Sequence, residues 1–217
     1  MRTRTLLVDN HPMFCEGLHS ALAMYDDIEV IRAVQDGHEA VRVALEQQPA
    51  VMITDIGIAG MNGIEATRHI TGALPHTKVL GLSSHTSSHL VLAMLDAGAA
   101  GYVLKHQAVQ ELVTAIRTVM AHEMYLSAAV ASVVMEAYKS RHLSPAPSAF
   151  STLTAKEREV LQLIAEGYAS KAIAARLYVS EKTVGTHREH LMRKLDIHSI
   201  AGLTKYAIRE GLTVLEC

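Results

Sequence analysis

Tryptophan is absent from the 217 residues, which hold only two cysteines, two phenylalanines and five prolines. Cys15 and Cys217 stand near opposite ends of the chain. Two such thiols make neither a disulfide framework nor a cysteine metal site, and they read as reduced thiols of a cytosolic protein. No stretch approaches the ~20 uninterrupted apolar residues that a membrane span needs. The start, Met1-Arg-Thr-Arg-Thr-Leu-Leu-Val-Asp9, turns apolar only from Thr5 to Val8. That run is too short for the core of a signal peptide and predicts a buried strand. Apolar residues make up 49% and charged residues 19%, which excludes a disordered chain. No internal repeat is visible.

The net charge of -2 is unevenly spread. Residues 1–150 carry 10 Lys/Arg and 14 Asp/Glu, whereas residues 151–217 carry 10 and 8. An acidic front and a mildly basic back direct any nucleic-acid contact to the back.

Short apolar runs alternate with helical patterns over the first 120 residues. Five strands are predicted, at Thr5–Val8, Ile28–Ile31, Val51–Thr54, Lys78–Leu82 and Gly101–Leu104, with helices near 13–24, 37–47, 63–72, 87–97 and 108–121. This alternation predicts an α/β doubly wound, five-stranded parallel sheet with helices on both faces. Ligands of such sheets bind at the C-terminal ends of the strands. From Ser127 to Leu143 a helical stripe carries Val130, Val133, Val134, Ala137 and Tyr138, either as packing or as a dimer contact. Ser144-Pro-Ala-Pro-Ser-Ala149 has the composition of a linker. Beyond it the pattern is all-α, with helices at 154–166, 170–177, 181–195 and 200–210. Gly167 is expected to stop the first of these, and Asp196 follows the third. The predicted division is 1–122, a connecting segment 123–150, and 151–217.

Asp9, Asp55 and Lys105 fall at the ends of the first, third and fifth predicted strands, and Ser83 follows the fourth. Parallel topology gathers these ends in one crevice. Two carboxylates, a hydroxyl and an ammonium suit a metal-assisted phosphate site. A hard cation such as Mg²⁺ takes oxygen ligands, a carboxylate can accept a phosphoryl group, and a lysine offsets its charge. Taken singly, each residue has an ordinary structural reading as a loop cap, a surface charge or a core side chain.

Four segments then resemble the receiver domain of bacterial response regulators over roughly residues 3–122. They are Leu7-Val-Asp-Asn-His-Pro12, Thr54-Asp-Ile-Gly-Ile-Ala-Gly-Met-Asn-Gly63, Leu82-Ser83 and Ala97-Gly-Ala-Ala-Gly-Tyr-Val-Leu-Lys105. The resemblance implies that Asp55 accepts phosphate from a sensor histidine kinase. It implies a Mg²⁺ held by Asp9, Asn10, Asp55 and the carbonyl of Gly57. It also implies that Lys105 pairs with the phosphate, that Ser83 moves to it, and that Tyr102 turns inward behind Ser83. Two positions depart from the family pattern. Asn10 stands where a second acid is usual, so weaker Mg²⁺ binding is expected. Ala59 stands where proline is usual, which frees the loop backbone.

In the back segment, Thr154 and Glu157 form the pattern of a capping box. Ser170 and Ser180 are the expected caps of the next two helices, which the tight turn Leu177-Tyr-Val-Ser180 joins as a helix-turn-helix. Val184, His187, Leu191 and Leu195 run down one face of the second helix. Such a helix presents its N-terminal residues to base edges in the major groove. Leu153-Thr-x-x-Glu157, Glu159-Val-Leu161, Lys171-x-Ile-Ala174, Val179-Ser-x-Lys-Thr-Val-x-Thr-His187 and Lys194-Leu195 resemble the LuxR-type helix-turn-helix of NarL/FixJ response regulators, over about 151–214. The contact candidates are Lys182, Thr183, Thr186, Arg188 and Glu189, with Lys194 as a phosphate contact. Gly185 stands where many relatives carry Lys or Arg. The resemblance also implies that residues near Ile200 to Tyr206 support dimerisation.

These readings give a cytoplasmic, non-enzymatic regulator with double-stranded DNA, a sensor kinase and a second copy of the chain as partners, and no membrane. An atypical regulator that ignores Asp55 is the alternative. A phosphatase using an aspartyl nucleophile favours an acid two residues beyond it, where this chain has Gly57. A ligand-sensing quorum regulator shares the back segment but not the Asp9/Asp55/Lys105 set. The pairs His85/His89 and His187/His190 have metal-like spacing without a third ligand.

Overall fold

The apolar runs of the front segment form parallel strands, because helix follows strand at every step and returns the chain to the same end. The computed structural model describes residues 2–58, 60–84, 86–141, 149–210 and 212–213. Ala59, His85, residues 144–148 of the expected linker and Cys217 lie outside them. The chain divides into two compact units, 1–143 and 144–217.

In the first unit, β1 (Thr3–Val8), β2 (Ile28–Val34), β3 (Val51–Asp55), β4 (Lys78–Ser83) and β5 (Gly101–Leu104) alternate with α1 (Pro12–Leu22), α2 (Gly37–Gln47), α3 (Gly63–Ala73), α4 (Ser88–Asp96) and α5 (Val109–Met120). The sheet has six strands rather than five, in the order β2-β1-β3-β4-β5-β6. The added strand, β6 (Tyr125–Leu126), pairs in parallel with β5. Two residues carry no readable period, which is why the sequence hides this strand. Gly101 admits it: a Cβ there would stand 2.5 Å from the Tyr125 carbonyl oxygen.

Alternate residues of the strands feed two cores, one on each face of the sheet. Leu6, Val8, Met52, Val79, Tyr102 and Leu104 meet α2, α3 and α4 on one face. Leu7, Ile53, Leu80, Leu82 and Val103 meet α1 and α5 on the other. The helix α6 (Ala128–Arg141) closes the unit. Its stripe divides: Val130 is fully buried in the first core and Val134 packs against it, whereas Tyr138 is exposed. The segment read from sequence as a connection therefore begins as part of the first unit.

The second unit has α7 (Ala155–Ala165), α8 (Ser170–Leu177), α9 (Glu181–Leu195) and α10 (Ile200–Arg209) after a short 3-10 turn, Ala149–Thr152. Thr154 and Glu157 make the expected capping box. Gly167 (φ 88°) and Asp196 (φ 54°) follow α7 and α9 in left-handed conformations. Ser180 caps α9 by accepting from the Thr183 N–H. The helix α8 has the expected bounds, but Ser170 is its first residue rather than its cap, and Ala169 holds the N-cap position without a side-chain bond. Leu161, Ile164, Ile173, Leu177, Val184, Leu191, Leu203 and Tyr206 share one core.

Candidate functional site

Three strand ends build the site in the first unit. Asp9 directly follows β1, Asp55 is the last residue of β3, and Lys105 directly follows β5. The strand order reverses at β1, so a crevice opens beside β3 at the ends of the strands. Asp9 and Asp55 are 3% and 8% exposed, too buried for solvent to neutralise them alone. Lys105 Nζ supplies the countercharge, 2.6 Å from Asp9 Oδ2 and 2.9 Å from Asp55 Oδ2. Burial pulls the Lys105 ammonium down, but the Asp55 charge and the contacts to Asp9 and Asp55 outweigh it and hold it above the usual lysine range. The other Asp55 oxygen, Oδ1, accepts the Ile56 N–H at 2.7 Å.

Asn10 follows Asp9 with its Oδ1 buried and without a hydrogen-bond partner among the described residues. Gly57 stands two residues past Asp55, half-buried in the loop after β3. Ser83 ends β4, and its side chain hydrogen-bonds the Tyr102 phenol. Tyr102 is fully buried. Burial pushes its phenol up to about 12, against the Ser83 bond and with added repulsion from Asp55. The inward position of Tyr102 is thus the one this structure holds.

Three further residues border the site. His11 donates its backbone N–H to Asp9 Oδ1 at 2.9 Å, and its Nδ1 lies 2.9 Å from the same oxygen. The ring of Phe14 lies under Lys105 Nζ, 5.0 Å from ring centre to nitrogen. The buried Cys15 donates its thiol to the Asp9 carbonyl at 3.6 Å, and burial, helped by the Asp9 charge, raises it above the usual thiol range. Adjacency to Asp9 was the signal available for His11. Phe14 and Cys15 gave none, because only the first turn of α1 brings them back to the strand ends. Asp9, His11 and Asp55 each offer a ligand atom within 4.8 Å of the others. Such a set can hold a divalent cation. His85 lies outside the described residues, and His89, His187 and His190 join no comparable group among the described residues.

In the second unit the face of α9 opposite Val184 and Leu191 exposes Lys182, Thr186 and Glu189, spaced i, i+4, i+7. Thr183 is half-buried, with its hydroxyl 2.8 Å from that of Ser180. Arg188 is half-buried and lines a hollow with Tyr168, Ala169 and Ser170 at the start of α8. His187, expected on the inner face, is also half-buried. A Cβ on Gly185 would meet open space. Lys194, expected at a DNA phosphate, is engaged elsewhere: its Nζ donates to Glu157 Oε2 at 2.7 Å and to the Thr152 carbonyl at 3.1 Å. It ties the end of α9 to the start of α7.

Residues 5–117 match the model of the response regulator receiver domain. The chain belongs to the response regulator family. Residues 151–207 match the bacterial regulatory proteins of the luxR family. This response regulator is 38% identical over 209 residues to the transcriptional regulatory protein LiaR of Bacillus subtilis, covering 96% of this chain and 98% of LiaR. It is 34% identical over 214 residues to the oxygen regulatory protein NreC of Staphylococcus epidermidis, with the same shares of each chain covered. Among solved structures, the response regulator ChrA of a heme-sensing two-component system is similar over 97% of this chain and 98% of its own, with 31% identity and a TM-score of 0.54. A receiver joined to a LuxR-type DNA-binding domain makes the chain a two-component transcription regulator of the NarL/FixJ type. No described helix is long and apolar enough to cross a membrane.

Proposed function

We propose that Asp55 is the phosphoacceptor of the receiver and that its phosphorylation by a sensor histidine kinase controls DNA binding through α9. The observation that carries this reading is the convergence of Asp9, Asp55 and Lys105 within ion-pair distance at the strand ends. In the transfer, an Asp55 carboxylate oxygen forms a bond to phosphorus as the bond to the donor imidazole nitrogen breaks and that imidazole takes a proton. Lys105 is already placed to offset the charge that arrives. Asp9, Asp55, Asn10 and the carbonyl of Gly57 are the groups that would hold Mg²⁺. The buried, unpartnered Asn10 Oδ1 fits a cation there, as do the two carboxylates. The ion supplies further charge neutralisation at the phosphoryl oxygens. Asn10 brings a dipole in place of a charge, so the cation binds more weakly than in an all-carboxylate site.

The receiver proper spans 1–122, the segment 123–150 begins docked on it as β6 and α6 and then connects, and 151–217 bind DNA. Lys182, Thr186 and Glu189 face the bases, Thr183 and Arg188 flank them, and Lys194 leaves the set as a structural residue. Two copies bind a two-fold symmetric site in the cytoplasm, with α10 supporting the pairing. The regulator is not an enzyme in this reading. Sequencing the genomic DNA bound by the wild type and by Asp55→Asn tests the proposal. Loss of wild-type sites in Asp55→Asn supports it. Identical site sets favour the second reading, a regulator indifferent to Asp55, which the inward Tyr102 and the uncharged Asn10 also suit.

A further inference from the structure

β6 and the start of α6 lie where the state of Tyr102 can be felt. β6 joins the sheet through the pairs Gly101↔Tyr125 and Tyr102↔Leu126. The Ser127 N–H then donates to the Tyr102 carbonyl at 3.4 Å, beyond the usual length for such a bond. The Ser127 hydroxyl is buried and has no hydrogen-bond partner among the described residues. Apolar contacts hold the segment: Val130 is fully buried beside Leu90, Val91 and Met94, and Leu126 and Val134 pack against the same cluster. Tyr125 is anchored, its N–H donating to the Ala100 carbonyl at 3.1 Å and its phenol to Glu111 Oε1 at 3.0 Å. The weak polar points are thus the two at Ser127, one stretched and one without a partner among the described residues, and these favour release of the segment beyond Tyr125.

We infer that residues 125–134 form a cap whose docking reports the state of Asp55, through Ser83 and Tyr102, to the helix from which the chain leaves the receiver. The inference rests on Asp55 being the acceptor. Ser83 carries a single hydroxyl proton. Once that O–H donates to a phosphoryl oxygen at Asp55, Ser83 can only accept from Tyr102, and the chain Tyr102 to Ser83 to phosphoryl runs in one direction. Such chains reinforce each bond. Tyr102 is then fixed inward, the β5 backbone is fixed with it, and the Tyr102 carbonyl keeps its hold on Ser127. Phosphorylation therefore closes the cap and seats α6 on α4, and its loss leaves the cap free to open.

Hydrogen exchange over residues 125–134 of the full chain tests this, with Mg²⁺ and beryllofluoride as the phosphoryl mimic. Binding of the mimic is followed separately by fluorine NMR against Asp55→Asn. The expected result is exchange about tenfold slower with the mimic bound, the size of a coupling near 1.4 kcal/mol. Tyr102→Phe, which keeps every group at the phosphoryl site, should bind the mimic without that slowing. A bound mimic with unchanged exchange overturns the inference, as does slowing of wild-type size in Tyr102→Phe. If the mimic does not bind, the acceptor reading fails first. The cap is then judged without it: Tyr102→Phe should exchange faster than wild type over 125–134, and equal rates overturn the inference.

Discussion

The Lys105 ammonium lies 2.9 Å from Asp55 Oδ2. With Asp9 Oδ2 at 2.6 Å, the same nitrogen spans both buried carboxylates. Lys105→Ala leaves two like charges facing each other in a buried crevice. Removing one partner of such a group costs about 3 kcal/mol. Urea unfolding of the first unit should show this loss without Mg²⁺, and added Mg²⁺ should recover part of it. An unchanged midpoint in either condition contradicts the assigned geometry.

Tyr102 gives the receiver a weakness at high pH. Its phenol titrates at about 12 in the fold against an ordinary 10.0. The unfolded chain therefore loses this proton first. Its contribution is fully present below pH 10 and is lost as pH rises toward 12, to a total of roughly 2–3 kcal/mol. Tyr125, held to about 12 by burial and by its bond to Glu111, adds to the same loss. Tyr102→Phe should flatten part of the fall in stability between pH 9 and 12. A fall of full wild-type size in the variant places the loss elsewhere.

Gly63 permits the close approach of α3 to Asp55. A Cβ there would stand 2.0 Å from the Asp55 carbonyl oxygen, a backbone atom that moves only with Asp55 itself. Gly63→Ala should cost about 1–3 kcal/mol by overpacking and slow phosphorylation by acetyl phosphate. Wild-type rates with wild-type stability would falsify this reading of the loop.

Lys194 is tied to Glu157, whereas Lys182 on the same helix is exposed. Burial raises the Glu157 carboxyl, but Lys194 and the Thr154 contacts outweigh it and hold it below the usual range. The pair thus stabilises the second unit above the ordinary carboxyl range and is lost as pH falls through the depressed value. Lys194→Ala should lower thermal stability by about 1 kcal/mol with little change in the salt dependence of DNA binding. Lys182→Ala should do the reverse, lowering the salt slope by about 1 without loss of stability. Salt-dependent DNA binding and calorimetry on both variants decide it.

The sequence told most where period and end-group coincide. Each of β1 to β5 was found within three residues of its limits, because a buried parallel strand is a continuous apolar run. Asp9, Asp55, Ser83 and Lys105 were legible as strand-end residues, since parallel topology leaves them one place to meet. β6 was not legible, because its existence depends on the missing side chain of Gly101 rather than on any pattern of its own. The fate of Lys194 was hidden for a similar reason. Its partner Glu157 had been read only as half of a capping box, and the contact joins two helices 37 residues apart. The stripe on α6 showed its period but not which of its residues would be covered. Only the packing on α4 separates Val130 from Tyr138.

Phosphoryl acceptance by Asp55 underlies the proposed function. Intact-protein mass spectrometry after incubation with Mg²⁺ and acetyl phosphate measures it most directly. The expected result is the gain of one phosphoryl group, labile to base and to hydroxylamine, in the wild type and none in Asp55→Asn. No gain in the wild type, or the same gain in Asp55→Asn, contradicts it.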